Sequence, residues 1–151
     1  MEKRYPEIGR RCIPMRWGDM DAIGHLNNTY YFRYLEQVRV EWLDSIGHGI
    51  RPGQVGPVIA ATSCTFRRQL SYPATVEITL ELERLGRSSI SLRHHFFVAG
   101  DPQTVYAYGD VTLVWVDYRT GQAVPLPDDL RALLAPQAAA LAKMSENAEK
   151  S

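Results

Sequence analysis

The chain has 151 residues, 45% of them apolar, and its 17 Lys and Arg balance its 17 Asp and Glu to a formal net charge of zero. That length suffices for a core without disulfides, and the balanced charge offers no footprint for a polyanion such as nucleic acid. No apolar run approaches the roughly 18 residues of a membrane span, and the opening MEKRYPEIGR lacks a signal-type hydrophobic stretch. The expectation is one domain over residues 1–151, cytoplasmic, with neither nucleic acid nor membrane as partner. Cys12 and Cys64 belong to no CxxC or CxxH pattern, so both are expected as buried, reduced thiols.

In chain order, residues 10–16 (RRCIPMR) suggest a short first strand. From Asn28 to Ile46 the apolar residues Tyr31, Leu35, Val38, Trp42 and Ile46 recur every three or four positions. That spacing makes one stripe of a helix, with Arg33, Glu36, Arg39 and Asp44 on the other sides. Asn27 or Asn28 can cap its start, and Gly47 can end it. Residues 47–57, rich in Gly and Pro, predict a loop. The period then changes to two. Residues 58–66 predict a strand, and 75–83 alternate strictly, with Val76, Ile78, Leu80 and Leu82 on one face and Glu77, Thr79 and Glu81 on the other. After a tight turn at 85–88, residues 89–98 return, and 105–117 form a further strand. A short helix at 128–134 is expected to stop near Pro136, leaving residues 145–151 as a disordered tail.

Short turns between successive strands predict antiparallel neighbours. The apolar face of such a sheet needs a cover, and the amphipathic helix at 28–46 is the large one available. The expected fold class is therefore α+β, a curved antiparallel sheet wrapped around one long central helix. An open sheet leaves unpaired edges, which predicts a homo-oligomer, either a dimer or a tetramer.

The stretch GDMDAIGHLNN, Gly18 to Asn28, connects the first strand to this helix. A helix N-terminus presents backbone N–H groups with no partner inside the helix, which can stabilise a developing oxyanion. A carboxylate just upstream, Asp19 or Asp21, could serve beside it as base or nucleophile, and Gly24 would let backbone approach a ligand closely. Asp, Asn and Gly are also ordinary turn and cap residues, and His25 can simply hold the loop. The spacing of Asp19, Asp21 and His25 matches no mechanistic metal motif.

Residues 16–43, RWGDMDAIGHLNNTYYFRYLEQVRVEWL, resemble the signature of the hotdog-fold acyl-CoA thioesterases of the 4-hydroxybenzoyl-CoA thioesterase type. Their D-x-D-x-x-G-H stretch leads into the central helix. RLGRSS (84–89) and VDYRTGQAVPLP (116–127) extend the resemblance over most of the chain. It implies the hotdog fold, hydrolysis of an acyl-CoA thioester, and no cofactor, coenzyme A being part of the substrate. By position it implies Asp21 as the catalytic carboxylate and Asn28 as the residue whose backbone N–H polarises the thioester carbonyl. His25 would orient Asp21 or a water, or only hold the turn. Asn27 would shape the pocket, and Asp19 would brace the loop. Arg67, Arg68, Arg87 and Arg93 become candidates for the phosphates of coenzyme A, with Ser88 as an additional donor. Tyr31, Tyr34 and Trp42 could line an acyl pocket, although their spacing equally suits core packing.

Two other readings share the fold. One is a thioesterase acting on acyl carrier protein; the other is a non-catalytic module that binds acyl-CoA or only assembles. Turnover of acyl-CoA separates the last from the first two.

Overall fold

The computed structural model describes residues 3–151. Five strands, β1 (Glu7–Pro14), β2 (Val55–Phe66), β3 (Thr75–Leu85), β4 (Ser89–Val98) and β5 (Ala107–Asp117), accompany two helices, α1 (Asn28–Ser45) and α2 (Asp128–Lys150). The strands form one sheet in the order β1-β3-β4-β5-β2, antiparallel throughout. This is the α+β hotdog arrangement, with α1 against the sheet. The expected stripe of α1 is buried at Tyr31, Leu35, Val38 and Trp42. It meets the inner face of β3, where Val76, Ile78, Leu80 and Leu82 are fully buried, together with Ile90, Leu92 and Phe96 of β4. The period-two reading holds for the inner face of β3 and β4, whose alternate residues meet a single core.

β2 starts at Val55, inside the segment expected to be a loop. Pro57 is compatible with this because β2 is an edge strand, where a missing N–H need not break a ladder. Across the β2–β5 pair, Gly109 faces the backbone. A Cβ there would lie 2.8 Å from the Ser63 carbonyl oxygen and 3.2 Å from Leu35 Cδ1.

Four expectations are corrected. First, α2 does not stop near Pro136; it continues to Lys150, so 145–150 is helical rather than a disordered tail. The alanine-rich run after Pro136 supplies strong helix formers in the stretch beyond the proline. Second, Cys12 is exposed, because β1 is the opposite edge and turns one face to solvent; Cys64 is half-buried. Third, Arg39 is not on a solvated side of α1 but only 6% exposed.

Fourth, the polar face of β3 is dry at its centre. Thr79 and Glu81 are fully buried, because the segment before β1 folds across them. The Tyr5 N–H donates to Glu81 Oε1 at 2.9 Å, Arg4 Nε donates to the same oxygen at 3.2 Å, and the Leu82 N–H donates to the Pro6 carbonyl. On the other carboxylate oxygen, His95 Nδ1 lies at 2.6 Å and the Thr79 hydroxyl at 2.5 Å. Burial alone would push the Glu81 carboxyl up, but the donors from His95, Thr79 and Tyr5 outweigh it and hold it down at about 2. Arginines cover the aromatic groups of this outer face: Arg4 and Arg10 lie over Phe97, and Arg93 over Tyr108.

Candidate active site

The loop from Asp19 to Asn27 is tied internally and to the segment after β2. The Asp21 N–H donates to the His25 carbonyl at 2.8 Å, and the Gly24 N–H to the Asp21 carbonyl at 3.1 Å. Gly24 closes this turn at φ +80°, a conformation that disfavours any residue with a Cβ. The Leu26 N–H donates to the Leu70 carbonyl at 2.7 Å, and the Ser71 hydroxyl to the Gly24 carbonyl at 3.0 Å. Asp19 braces the whole: its Oδ2 accepts from the Tyr34 hydroxyl at 2.6 Å, and its carbonyl accepts from the Asn27 N–H. Asp19 thus faces α1 while Asp21 faces the loop, so the two carboxylates do not converge.

Asp21 Oδ1 accepts from the Ile23 N–H at 3.0 Å and from the His25 N–H at 3.4 Å. These contacts orient the carboxyl by one oxygen and leave Oδ2 without a hydrogen bond among the described residues. His25 Nδ1 is buried and also has no partner there.

At the start of α1, Asn27 is the cap. Its Oδ1 accepts from the Thr29 N–H at 3.1 Å and from the Thr29 hydroxyl at 3.0 Å, and its carbonyl accepts from the Tyr30 N–H. Of the first three helical amides, Thr29 and Tyr30 are therefore satisfied, and Asn28 has no acceptor among the described residues. That single amide sits at the positive end of the helix dipole.

Asp21, His25 and Asn28 line one cleft of about 790 Å³, together with Leu26, Tyr31 and Phe66. The ring edge of Tyr31 packs on Phe66 at 4.7 Å between centroids. Burial pushes the Tyr31 hydroxyl up to about 12, so it enters the cleft as a neutral group. Arg67 and Arg68 line the same cleft, and their main-chain N–H groups donate to the Tyr106 carbonyl at 2.9 and 3.0 Å.

Other expected residues lie elsewhere. Asn27 is occupied as a cap rather than facing the cleft. Arg87 and Ser88 sit in the β3–β4 turn, where their carbonyls accept from the Leu126 and Trp115 N–H groups. Within a single chain they do not line this cleft. Arg93 is held bidentately by Asp110 at 2.8 and 2.9 Å on the outer face of the sheet. Trp42 is core. Cys64, which burial pushes up to about 12, is held as a thiol and does not line the cleft. Reading the sequence missed Tyr106 and Gln69, which enter the cleft through tertiary packing and carry no local signal.

The arrangement combines a carboxylate with one unused oxygen, an unpartnered main-chain donor, apolar walls and two cations. Such a set can bind a polarisable carbonyl and direct water or carboxylate at it. The chain as a whole is similar to several known proteins. A solved structure from Pseudomonas aeruginosa, provisionally described as a thioesterase, is 41% identical and superposes with a TM-score of 0.82 over 85% of this chain and 98% of that one. A provisionally described acyl-CoA thioesterase from Xanthomonas campestris is 35% identical, with a TM-score of 0.72 over 80% of this chain and 99% of its own. The long-chain acyl-CoA thioesterase FadM of Escherichia coli is 26% identical over 124 residues, 81% of this chain and 93% of that protein. Residues 15–134, which hold the loop, α1 and the whole cleft, match the profile of the thioesterase-like superfamily, and the chain belongs to that superfamily.

Proposed function

We propose that the chain hydrolyses an acyl-CoA thioester to the free acid and coenzyme A, as the D-x-D-x-x-G-H stretch of the 4-hydroxybenzoyl-CoA thioesterase type implies. The observation that carries this reading is the shared cleft of Asp21 and the unpartnered Asn28 N–H. The thioester carbonyl oxygen accepts from Asn28, which draws charge from the carbonyl carbon. Asp21 Oδ2 then takes a proton from water as the hydroxide adds to that carbon. The alternative is direct attack by Oδ2, giving a mixed anhydride that water later opens. In either course the C–S bond breaks, and the thiolate of coenzyme A leaves and takes up a proton. Arg67 and Arg68 at the cleft suit its phosphates. Arg87 and Ser88 would join them only from a second copy.

A second copy is part of the reading. β2 is an edge strand of 12 residues whose Val55, Val58, Ile59 and Phe66 are each 42–50% exposed. Phe66 also lines the cleft, so a copy paired along this edge would add a wall to it.

The test is thiol release across short, long and aryl acyl-CoAs, with two variants. Asp21→Asn should reduce turnover by about 10²–10⁴. Asn28→Pro removes the N–H without opening the helix, because proline is favoured at the first helical position and Asn27 already has φ −59° and ψ 135°. It should reduce kcat by about 10²–10³. Wild-type turnover in either variant would remove that group from the mechanism. Hydrolysis of acyl carrier protein thioesters in preference to acyl-CoA would change the carrier and keep the site.

A further inference from the structure

The fourth turn of α1 carries a buried charge that no hydrogen bond or ion pair meets. Arg39 is 6% exposed, and among the described residues its guanidinium has no hydrogen bond and no ion pair; Nη1 is wholly buried without an acceptor. An unpaired buried charge is strongly unfavourable. Burial brings its pKa down to about 10, so it still carries its proton at neutral pH. The charge of Glu36 offsets the burial of Arg39 only in part. His94 of β4 is fully buried beneath α1, with Nδ1 2.8 Å from the Thr79 carbonyl and Nε2 unpartnered. Glu36, one turn away on α1, is 55% exposed and bonded to Arg33 at 3.1 Å.

Arg39 lines a cavity of about 200 Å³ between α1, β2 and β5. The other walls are almost entirely apolar: Val40, Leu43, Ile50, Val58, Ile59 and Leu113. Glu36 and Pro57 complete the lining. The cavity shares no lining residue with the cleft at Asp21. Arg39 lies eleven residues beyond Asn28, about 16 Å along the helix axis at 1.5 Å per residue.

The geometry points to a binding site for a small monocarboxylate with an apolar body, its carboxylate on the Arg39 fork and its body against Leu43, Ile59 and Leu113. A guanidinium presents paired donors that match a carboxylate bidentately. A phosphate dianion fits less well, because the cavity supplies one cation and Glu36 stands at its side. The volume suits a ring or a short chain, given that a cavity of about 150 Å³ accepts one benzene. A second copy paired along β2 would not supply the missing anion from that strand, since Val55–Phe66 contains no acidic residue. Within one chain the site is separate from the cleft at Asp21.

The test is calorimetric titration of the full chain with benzoate and with hexanoate, using benzamide as the uncharged counterpart, alongside thermal melts. One or both carboxylates should bind and raise the melting temperature, and benzamide should not. Arg39→Met should weaken carboxylate binding about ten- to a hundredfold, the size of a lost charged hydrogen bond. It should also raise the melting temperature of the free protein, because an uncompensated charge gives way to an apolar side chain of similar length. Arg39→Lys, which keeps the charge and loses the fork, should bind with intermediate affinity. The proposal is overturned if neither carboxylate binds, if benzamide binds as well as benzoate, or if Arg39→Met binds carboxylate unchanged. A lower melting temperature for Arg39→Met would also overturn it, by showing that the guanidinium is already satisfied.

Discussion

His94 makes the stability of the fold depend on pH in a defined window. It is fully buried at the centre of β4, and burial first, then the charge of Arg39, push its imidazole down to about 4 from 6.5. The Thr79 carbonyl and the carboxylates of Glu81 and Asp110 pull the other way and do not prevail. The folded protein therefore refuses a proton that the unfolded chain accepts near 6.5. In this interval the unfolded state binds more protons, so stability rises with pH and falls on acidification from about 6.5 toward 4. The gap is worth about 3 kcal/mol. For a chain of this length that corresponds to about 6–12 °C in Tm. Glu81 acts in a separate window: with its carboxyl held at about 2 against 4.5, its contribution is lost as pH falls from 4.5 toward 2. Melts at about pH 7.5 and about pH 4.5 thus read His94 with little interference from Glu81. His94→Gln keeps a donor for the Thr79 carbonyl and cannot titrate. Its Tm should fall between the two pH values by about 6–12 °C less than that of the wild type, surface carboxylates cancelling in the difference. Equal losses in the two proteins would refute the reasoning.

Tyr34→Phe removes the 2.6 Å bond to Asp19 that ties the loop to α1. Urea unfolding should show a loss of about 1–3 kcal/mol, and a change within error would mean the brace is not needed. Gly109→Ala sets a methyl against the Ser63 carbonyl oxygen, a main-chain atom that cannot swing away. A loss of about 1–3 kcal/mol is expected, and an unchanged denaturation midpoint would mean that β2 separates from β5 without cost.

What the amino-acid pattern discloses depends on how many faces of an element are buried. Tyr31, Leu35, Val38 and Trp42 mark the packed stripe of α1, and the alternation of Val76 to Leu82 marks the inner face of β3, because one apolar face meets one core. The same logic fails for Glu81, Thr79 and His95. Their polarity implies water, and only the tertiary fold of residues 4–6 over β3 excludes it. Arg39 and His94 are illegible for a like reason: a charged or titratable side chain carries no local sign that it is buried. Pro136 signals an end to α2 that the alanines following it override. In the site, Asp21, His25 and Asn28 are close in sequence, so local geometry already gathers them near the tip of α1. Tyr106 and Gln69 come from distant segments, and the charge of Arg87 and the hydroxyl of Ser88 in a strand-end turn say nothing of which turn faces the cleft.

The unbroken course of α2 conceals an uneven attachment. Its only fully buried side chains, Leu130 and Leu134, both precede Pro136; beyond it no side chain is fully buried, and Gln137, Ala138, Leu141 and Met144 are only partly covered. The final fourteen helical residues thus hold their shape mainly through alanine-rich local preference, while the first turns are riveted to the core. Amide protons beyond the proline will exchange with solvent long before those of Leu134, and a protease will find Lys143 while the sheet is still intact.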